Sequence, residues 1–135
     1  MRREQLADRR LHSDISGAIL RCSFAVAAES GAGFVESVYE RALELALRQE
    51  GLEVRRQCPI QVRFRGLVVG EFVADMLVCG SVIVELKAVT ALLPEHKAQI
   101  INYLNATGID VGLLINFGNP TLEYRRFHRR ADAGR

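Results

Sequence analysis

The feature that most constrains the fold is a pair of short apolar runs separated by a helix-like segment. The first, residues 82–89, reads VIVELKAV, and the second, residues 111–115, reads VGLLI. Such runs are typical of strands that are covered on both faces of a sheet. The segment between them has Pro94 at a position that suits the first helical turn and Gly108 as a helix stop. The sequence therefore predicts a β-α-β unit whose strands pair in parallel through a right-handed crossover.

Further strands are predicted on both sides of this unit. The turns at residues 65–66 and 79–81 are short enough for an antiparallel meander of three strands. The hydrophobic period changes from helical to alternating after residue 57, and the predicted strands lie at about 58–65, 67–78, 82–89 and 111–115, with a candidate edge strand at 121–127.

Two amphipathic helices are predicted before the strands, at about 13–29 with Ser13 as the N-cap and at about 34–50. The second helix has two stripes of side chains. One stripe consists of Val35, Val38, Ala42 and Leu45, and the other of Glu36, Tyr39, Glu40, Leu43 and Leu47. Because carboxylates share the second stripe with large apolar groups, we expect Glu36 to point towards protein.

The chain is expected to form a single α/β domain. Its 135 residues leave no room for a second core, and the predicted order, α-α-β-β-β-α-β with a candidate extra strand, gives a mixed sheet flanked by helices. We expect the domain to span 13–127, between a basic N-terminal arm at 1–12 and a basic C-terminal tail at 128–135.

Composition narrows the function classes. The chain has 18 Lys and Arg against 16 Asp and Glu, which is too balanced to indicate nucleic acid by bulk charge alone. Its 3 cysteines are far apart and lack zinc-ligand spacing, which is typical of a reducing cytoplasm. No apolar run approaches the ~20 residues of a membrane span, so we expect a cytoplasmic protein without a membrane partner.

Charged residues interrupt two of the apolar strands. Glu85 and Lys87 share one face of the third strand, since strand side chains alternate. If the turn places Val78 opposite Val82, counting back along both strands places Asp75 opposite Glu85. Two carboxylates then lie side by side, which is destabilising unless something neutralises them.

Several interpretations of these charges stay open from the residues alone. Glu85 and Lys87 could form a salt bridge on one face, one of the two acids could be protonated, or a register shift of one residue could move Asp75 to the other face. Alternatively, a divalent cation with Lys87 alongside would neutralise the carboxylates. Mg²⁺ is typically held by only one or two carboxylates, with waters and substrate phosphates at its other positions.

The order and spacing of these residues resemble a known sequence signature. Asp75, followed by ELK at 85–87 on the next strand, resembles the signature of the PD-(D/E)xK nuclease superfamily, whose restriction-endonuclease-like core has the order α-β-β-β-α-β. More narrowly, GFVESVY at 33–39 is similar to the pattern of the GxxExxY protein family. That resemblance continues through QIINYL at 99–104 and GLLINFG at 112–118, and it covers about residues 13–127.

The resemblance implies roles for four charged residues. Asp75, Glu85 and Glu36 would be metal ligands, with Glu36 placed near the metal by the second helix. Lys87 would orient or activate the attacking water. The implied cofactor is Mg²⁺, with Mn²⁺ as a possible substitute.

The helix after the third strand carries the implied substrate-binding residues. Gln99 and Tyr103 are similar to the Q-x-x-x-Y element of RecB-like nucleases. The chain departs from the pattern in two places: Ala74 stands where the superfamily has Pro, and Ala27 stands where many relatives carry a His. His96 is on the helix face of Gln99 and Tyr103, where it is either a substitute metal ligand or an exposed first-turn residue.

The leading hypothesis is thus a metal-dependent nuclease that hydrolyses phosphodiester bonds in nucleic acid, with DNA as the expected substrate. The alternative is a catalytically inactive nuclease-fold module for binding or assembly, and a third, weaker hypothesis is a small-molecule or nucleotide phosphohydrolase. Because no large basic surface is evident, affinity for nucleic acid would come from the terminal arms, from homo-oligomerisation or from a protein partner.

Overall fold

The computed structural model describes residues 12–129, so the predicted arms, at 1–12 and 128–135, lie almost entirely outside the described residues. The helices and strands follow the predicted order, and the candidate edge strand is present. They are α1 (Ser13–Ser30), α2 (Glu36–Gln49), β1 (Val54–Phe64), β2 (Leu67–Val78), β3 (Val82–Lys87), α3 (Pro94–Thr107), β4 (Val111–Asn116) and β5 (Glu123–His128). Within residues 12–129 none of the helices could serve as a membrane span.

The five strands form one mixed sheet in the order β1-β2-β3-β4-β5. Strands β3 and β4 pair in parallel, from Val82 opposite Val111 to Lys87 opposite Asn116, and α3 connects them. All other neighbouring pairs are antiparallel. The predicted β-α-β unit, the meander and the α/β fold are therefore confirmed.

Helices cover both faces of the central strands. Helices α1 and α2 enclose one hydrophobic core with Val84, Leu86 and their neighbours, and α3 encloses a second core with Ile83 and Leu114. Gly112 allows the close approach of α3, because a Cβ at that position would lie 2.9 Å from the Cδ1 of Ile100. Burial on both faces accounts for the continuous apolar sequence of β3 and β4.

Several boundaries differ from the prediction: β3 ends at Lys87 instead of residue 89, α2 is shorter by two residues at its start, and the starts of α1 and β1 also differ. Helix α1 begins at Ser13 itself, and the N-cap is His12, which makes no side-chain capping hydrogen bond. Strand β1 begins at Val54, four residues earlier than predicted, since it continues to pair with β2 as far as Val78. Arg55 and Arg56 concealed this first part of the strand, because two adjacent charges break the alternation of apolar residues.

The α2 stripe that consists only of apolar residues is the exposed one. Val35, Val38 and Leu45 are 68%, 40% and 59% exposed, whereas Tyr39 and Leu43 of the mixed stripe are fully buried. The mixed stripe contains the larger side chains and packs on the sheet. The expectation that Glu36 points towards protein is confirmed, since Glu36 is half-buried.

The alternation of side chains along β2 is interrupted at Asp75, so that residues two apart no longer face the same core. Ala74 packs in the core under α3, whereas Met76, two residues later, packs in the core under α1 and α2. The same change occurs in β1 at Gln57, which has a left-handed φ of 54° and lies between residues paired with Ala74 and Met76. Asp75 therefore lies next to β3, at the point where the hairpin of β1 and β2 twists sharply.

Candidate active site

Asp75 and Glu85 meet where β2 and β3 separate. The backbone pairing starts from Val78 opposite Val82, as predicted, and ends at Met76 opposite Val84. Beyond this pair, Glu85 Oε2 accepts a hydrogen bond from the Asp75 backbone N–H at 2.6 Å. One residue further along β3, the backbone N–H of Leu86 donates a hydrogen bond to Asp75 Oδ2 at 2.8 Å. The two carboxylates therefore bridge the gap between the strands.

Burial dominates the electrostatics of this pair. Glu85 is only 4% exposed, and desolvation, followed by the charge of Asp75, raises the pKa of Glu85 to about 8. Burial also raises the pKa of Asp75. The charge of Lys87, on the same strand face as Glu85, lowers both pKa values but does not cancel the effect of burial. The pair therefore favours a proton or another positive charge between its carboxyl groups.

Glu36 belongs to the same electrostatic cluster. It is the first residue of α2, and its pKa is raised by burial and then by the charge of Asp75, while Lys87 lowers it. The structure thus brings together four of the residues singled out by sequence: Glu36, Asp75, Glu85 and Lys87.

Tyr39 fixes the loop that leads to Glu36. Its hydroxyl donates a hydrogen bond to the carbonyl oxygen of Gly31 at 2.7 Å and accepts one from the backbone N–H of Phe34 at 3.1 Å. Gly33 between them has a φ of 111°, which strongly favours glycine. The Gly, Glu and Tyr of the GxxExxY pattern thus have distinct structural tasks: a special backbone, an acid at the helix start and a side chain that holds the loop.

Glu40 is a residue of this region to which the sequence analysis gave no role. It is 4% exposed and accepts hydrogen bonds from Arg56 Nε at 2.8 Å and from Gln57 Nε2 at 3.0 and 3.1 Å. These bonds tie α2, one turn after Glu36, to β1 at the twist beside Asp75. The available sequence signal was a second carboxylate on the buried stripe, but its cationic partner could not be recognised without the fold.

Asn116 is a second such residue, and it fixes the chain just after Lys87. Its fully buried amide donates to the carbonyl oxygen of Val89 at 2.9 Å and accepts from the Val89 N–H at 3.0 Å. It also accepts from the N–H of Gly118, and Phe117 N–H donates to the Lys87 carbonyl oxygen at 2.8 Å. The NFG segment of the sequence therefore holds the end of β3.

Tyr103 adjoins the carboxylate pair, and Gln99 lies one turn earlier on α3. Tyr103 is 5% exposed, and burial followed by the charges of Glu85 and Asp75 raises its pKa. Gln99 and Tyr103 both line an open groove between α3 and the β1–β2 hairpin.

The acids of this site form a small set of oxygen donors for a divalent cation. Within residues 12–129, no group of three or more His, Cys, Asp and Glu side chains is arranged as a metal site. His96 instead stabilises the start of α3, where its Nδ1 accepts a hydrogen bond from the Leu93 N–H at 3.0 Å. The pair formed by the half-buried Asp75 and the buried Glu85 supplies two carboxylates, which suffices for Mg²⁺. Burial raises the pKa of both groups although Lys87 lowers it, so a further positive charge beside them would stabilise their ionised forms, and the two residues fit a divalent cation.

The raised pKa values predict how stability depends on pH. In the presence of EDTA, we expect the free energy of unfolding to fall as pH rises from about 5 to about 8. The pKa of Glu85 is 4.5 in its ordinary state and about 8 in the native protein, so the native state binds more protons than the unfolded chain across this interval.

Denaturant titrations at a series of pH values would measure this slope. Glu85→Gln should reduce the loss of unfolding free energy over this pH interval by on the order of 3 kcal/mol, because the substitution removes the group whose pKa is most strongly raised. Glu95→Gln, on α3, is the matched control and should leave the slope unchanged. Stability that rises over this pH range would contradict the prediction.

With the geometry in place, comparison with known proteins identifies the class. A sequence model described as the PD-(D/E)XK nuclease superfamily matches residues 13–127. The chain therefore belongs to the PD-(D/E)XK nuclease superfamily. A comparison with curated proteins gives no significant match.

Two solved structures are similar to this one. The crystal structure of SSO0001 matches with a TM-score of 0.56 and 18% identity, over 72% of this chain and 52% of that one. The alkaline exonuclease LHK-Exo from Laribacter hongkongensis matches with a TM-score of 0.48 and 16% identity, over 64% of this chain and 52% of that one. The likeness to SSO0001 concerns the fold alone, and the chain spans about half the length of both proteins.

Proposed function

We propose that this protein is a divalent-metal-dependent nuclease that hydrolyses phosphodiester bonds in DNA. The observation that carries the proposal is the pair of carboxylates at the separation of β2 and β3, the half-buried Asp75 and the buried Glu85, with Lys87 on the face of Glu85. Membership of a nuclease superfamily supports the same function. We place the protein, more narrowly, in the GxxExxY family and in the cytoplasm.

Asp75 and Glu85 would hold Mg²⁺ or Mn²⁺, with Glu36 as a nearby third acid. The bound ion would supply positive charge that polarises the scissile phosphate and acidifies a water molecule. In this proposal Lys87 binds a phosphate oxygen through its ammonium group and stabilises the negative charge that develops there. The hydrogen bonds of Asn116 to Val89 hold the chain two residues after Lys87.

The test is a cleavage screen with purified protein on single-stranded, duplex and branched DNA and on the matching RNAs, with Mg²⁺, with Mn²⁺ and with EDTA. We expect cleavage with either metal and none with EDTA. Asp75→Asn, assayed in parallel, controls for a contaminating nuclease and should be inactive. Cleavage that persists in EDTA or in the variant would contradict the proposal.

A second candidate function is a non-catalytic module for binding or assembly. It is favoured by the hydrogen bonds in which each carboxylate accepts a backbone N–H of the opposite strand, since these give the pair a structural task. Folded protein that binds metal in calorimetry but cleaves no substrate of the screen would favour this module over the nuclease.

A further inference from the structure

The groove beside the carboxylate pair is lined by side chains that differ in kind from those of the pair. It lies between the β1–β2 hairpin and α3, has a volume of about 720 Å³ and falls within the ~300–1,000 Å³ that is typical of ligand sites. Residues that line this α3 groove are Val62 and Phe72 from the hairpin and Gln99, Asn102, Tyr103 and Asn105 from the helix.

In the part of the chain that the structure describes, three of the five polar side chains that line the α3 groove are carboxamides, and the other two are Glu95 and Tyr103. Gln99, Asn102 and Asn105 are spaced three residues apart, so their side chains follow one another along one side of the helix. Among the described residues that line the groove, the one charged side chain is the acid Glu95. A lining of this kind does not attract phosphate groups, but it offers paired donors and acceptors to a neutral ligand.

Two aromatic rings complete the α3 groove. Phe72 and Tyr103 lie with their ring centroids 6.0 Å apart at an interplanar angle of 45°, and Phe72 is 47% exposed. Flat ligands with hydrogen-bonding edges suit such a site, because the exposed ring of Phe72 offers a stacking face, with the buried Tyr103 beside it, and the carboxamides bind the edges. Nucleobases are ligands of this class: Asn and Gln bind their edges, and aromatic side chains stack on their faces.

The α3 groove lies beside the proposed site of cleavage, since Phe72 of its lining is three residues before Asp75 on β2. Tyr103 lines the groove and packs in one core with Ile83 of β3, two residues before Glu85. Glu85 and Ile83 share a strand face, since strand side chains alternate. A nucleic-acid strand with one phosphate at the carboxylate pair could therefore place neighbouring bases in the groove.

We propose that the α3 groove binds unpaired nucleobases of the strand whose phosphodiester lies at Asp75 and Glu85, so that the substrate is single-stranded or has a single-stranded end. This inference rests on the proposed function and names its substrate class. Paired bases do not satisfy it, because a duplex buries their faces in its own stack and uses their pairing edges.

Binding in EDTA tests the inference without cleavage. Fluorescence anisotropy would compare three DNA oligonucleotides of equal length: a single strand, its duplex and the same single strand with abasic sites. We expect the single strand to bind at least about tenfold more tightly than the abasic strand, since stacking is worth ~1–3 kcal/mol per base. Equal affinity for all three would overturn the inference.

Substitutions in the α3 groove test whether its lining residues cause the preference for strands with bases. Phe72→Leu and the double variant Asn102→Ala with Asn105→Ala should each weaken single-strand binding about tenfold and leave abasic-strand binding unchanged. Phe64→Leu is the matched control: Phe64 is an exposed residue of the same hairpin, outside the groove lining, and its replacement should change neither affinity. Groove variants that alter self-association in gel filtration but not oligonucleotide affinity would overturn the inference in favour of a protein contact.

The failure of this inference and the failure of the proposed function give different results. Metal-dependent cleavage that Asp75→Asn abolishes, combined with no preference for bases, would overturn only the base-binding groove. A protein that neither binds the oligonucleotides nor cleaves them would overturn both.

Discussion

Replacing Lys87 with methionine is expected to reduce DNA cleavage about 10²–10³-fold while the protein still binds a divalent metal. Lys87 supplies positive charge but no metal ligand, and it lowers the pKa of Glu36, Asp75 and Glu85. Removing it leaves the acids with less compensation, so metal affinity should be unchanged or higher. Single-turnover cleavage assays and titration calorimetry with Mn²⁺ measure the two quantities independently.

The carboxylate variants should behave differently from Lys87→Met. Asp75→Asn and Glu85→Gln each remove a proposed ligand, so both should lose metal binding together with cleavage. Lys97→Met, on α3, is the matched control for the loss of a lysine and should leave both quantities unchanged. If Lys87→Met lost metal binding as completely as Asp75→Asn, the proposed role of Lys87 would be wrong.

Gly118→Ala is expected to destabilise the protein by about 3–5 kcal/mol, on the scale of severe core defects. A Cβ at Gly118 would lie 2.0 Å from the Val89 carbonyl oxygen and 2.4 Å from the Val89 nitrogen, and backbone atoms cannot move aside as a flexible side chain can. The strain would force the chain after β4 away from β3 and break the hydrogen bonds of Asn116 to Val89. Chemical denaturation measures the change in the free energy of unfolding.

Gly17→Ala is the matched control for this substitution. Gly17 lies within α1, and a Cβ there would meet its nearest atom, Arg21 Nη1, at 3.8 Å, an ordinary contact. Alanine is the better helix former, so Gly17→Ala should stabilise the protein by up to about 1 kcal/mol. If Gly118→Ala were also neutral or stabilising, the close contact with Val89 would not be required for the fold.

Much of the architecture could be predicted from the sequence, because its signals are local. The uninterrupted apolar runs of β3 and β4 report burial on both faces, and Pro94 and Gly108 mark the ends of the helix between them. The three-residue turn after Val78 sets the strand register, which places Asp75 and Glu85 at the same level of the sheet.

Other features depended on contacts between residues far apart in sequence. Nothing local shows that the exposed stripe of α2 is the one with Val35 and Val38, since both stripes contain apolar residues and the packing of Tyr39 decides between them. Glu40 is buried because Arg56 and Gln57, on a different element, neutralise and bond its carboxylate.

The separation of β2 and β3 and the α3 groove were likewise decided only by the tertiary structure. Alternation along a strand shows that Asp75 and Glu85 can be neighbours, but not that their carboxylates accept the backbone N–H groups that a regular ladder would pair. The groove exists because the long hairpin passes beside α3 and brings Phe72 to Tyr103. The sequence determined the elements and the register of the acids through local periodicity and turn length, whereas long-range packing decided burial, partners and the shape of the groove.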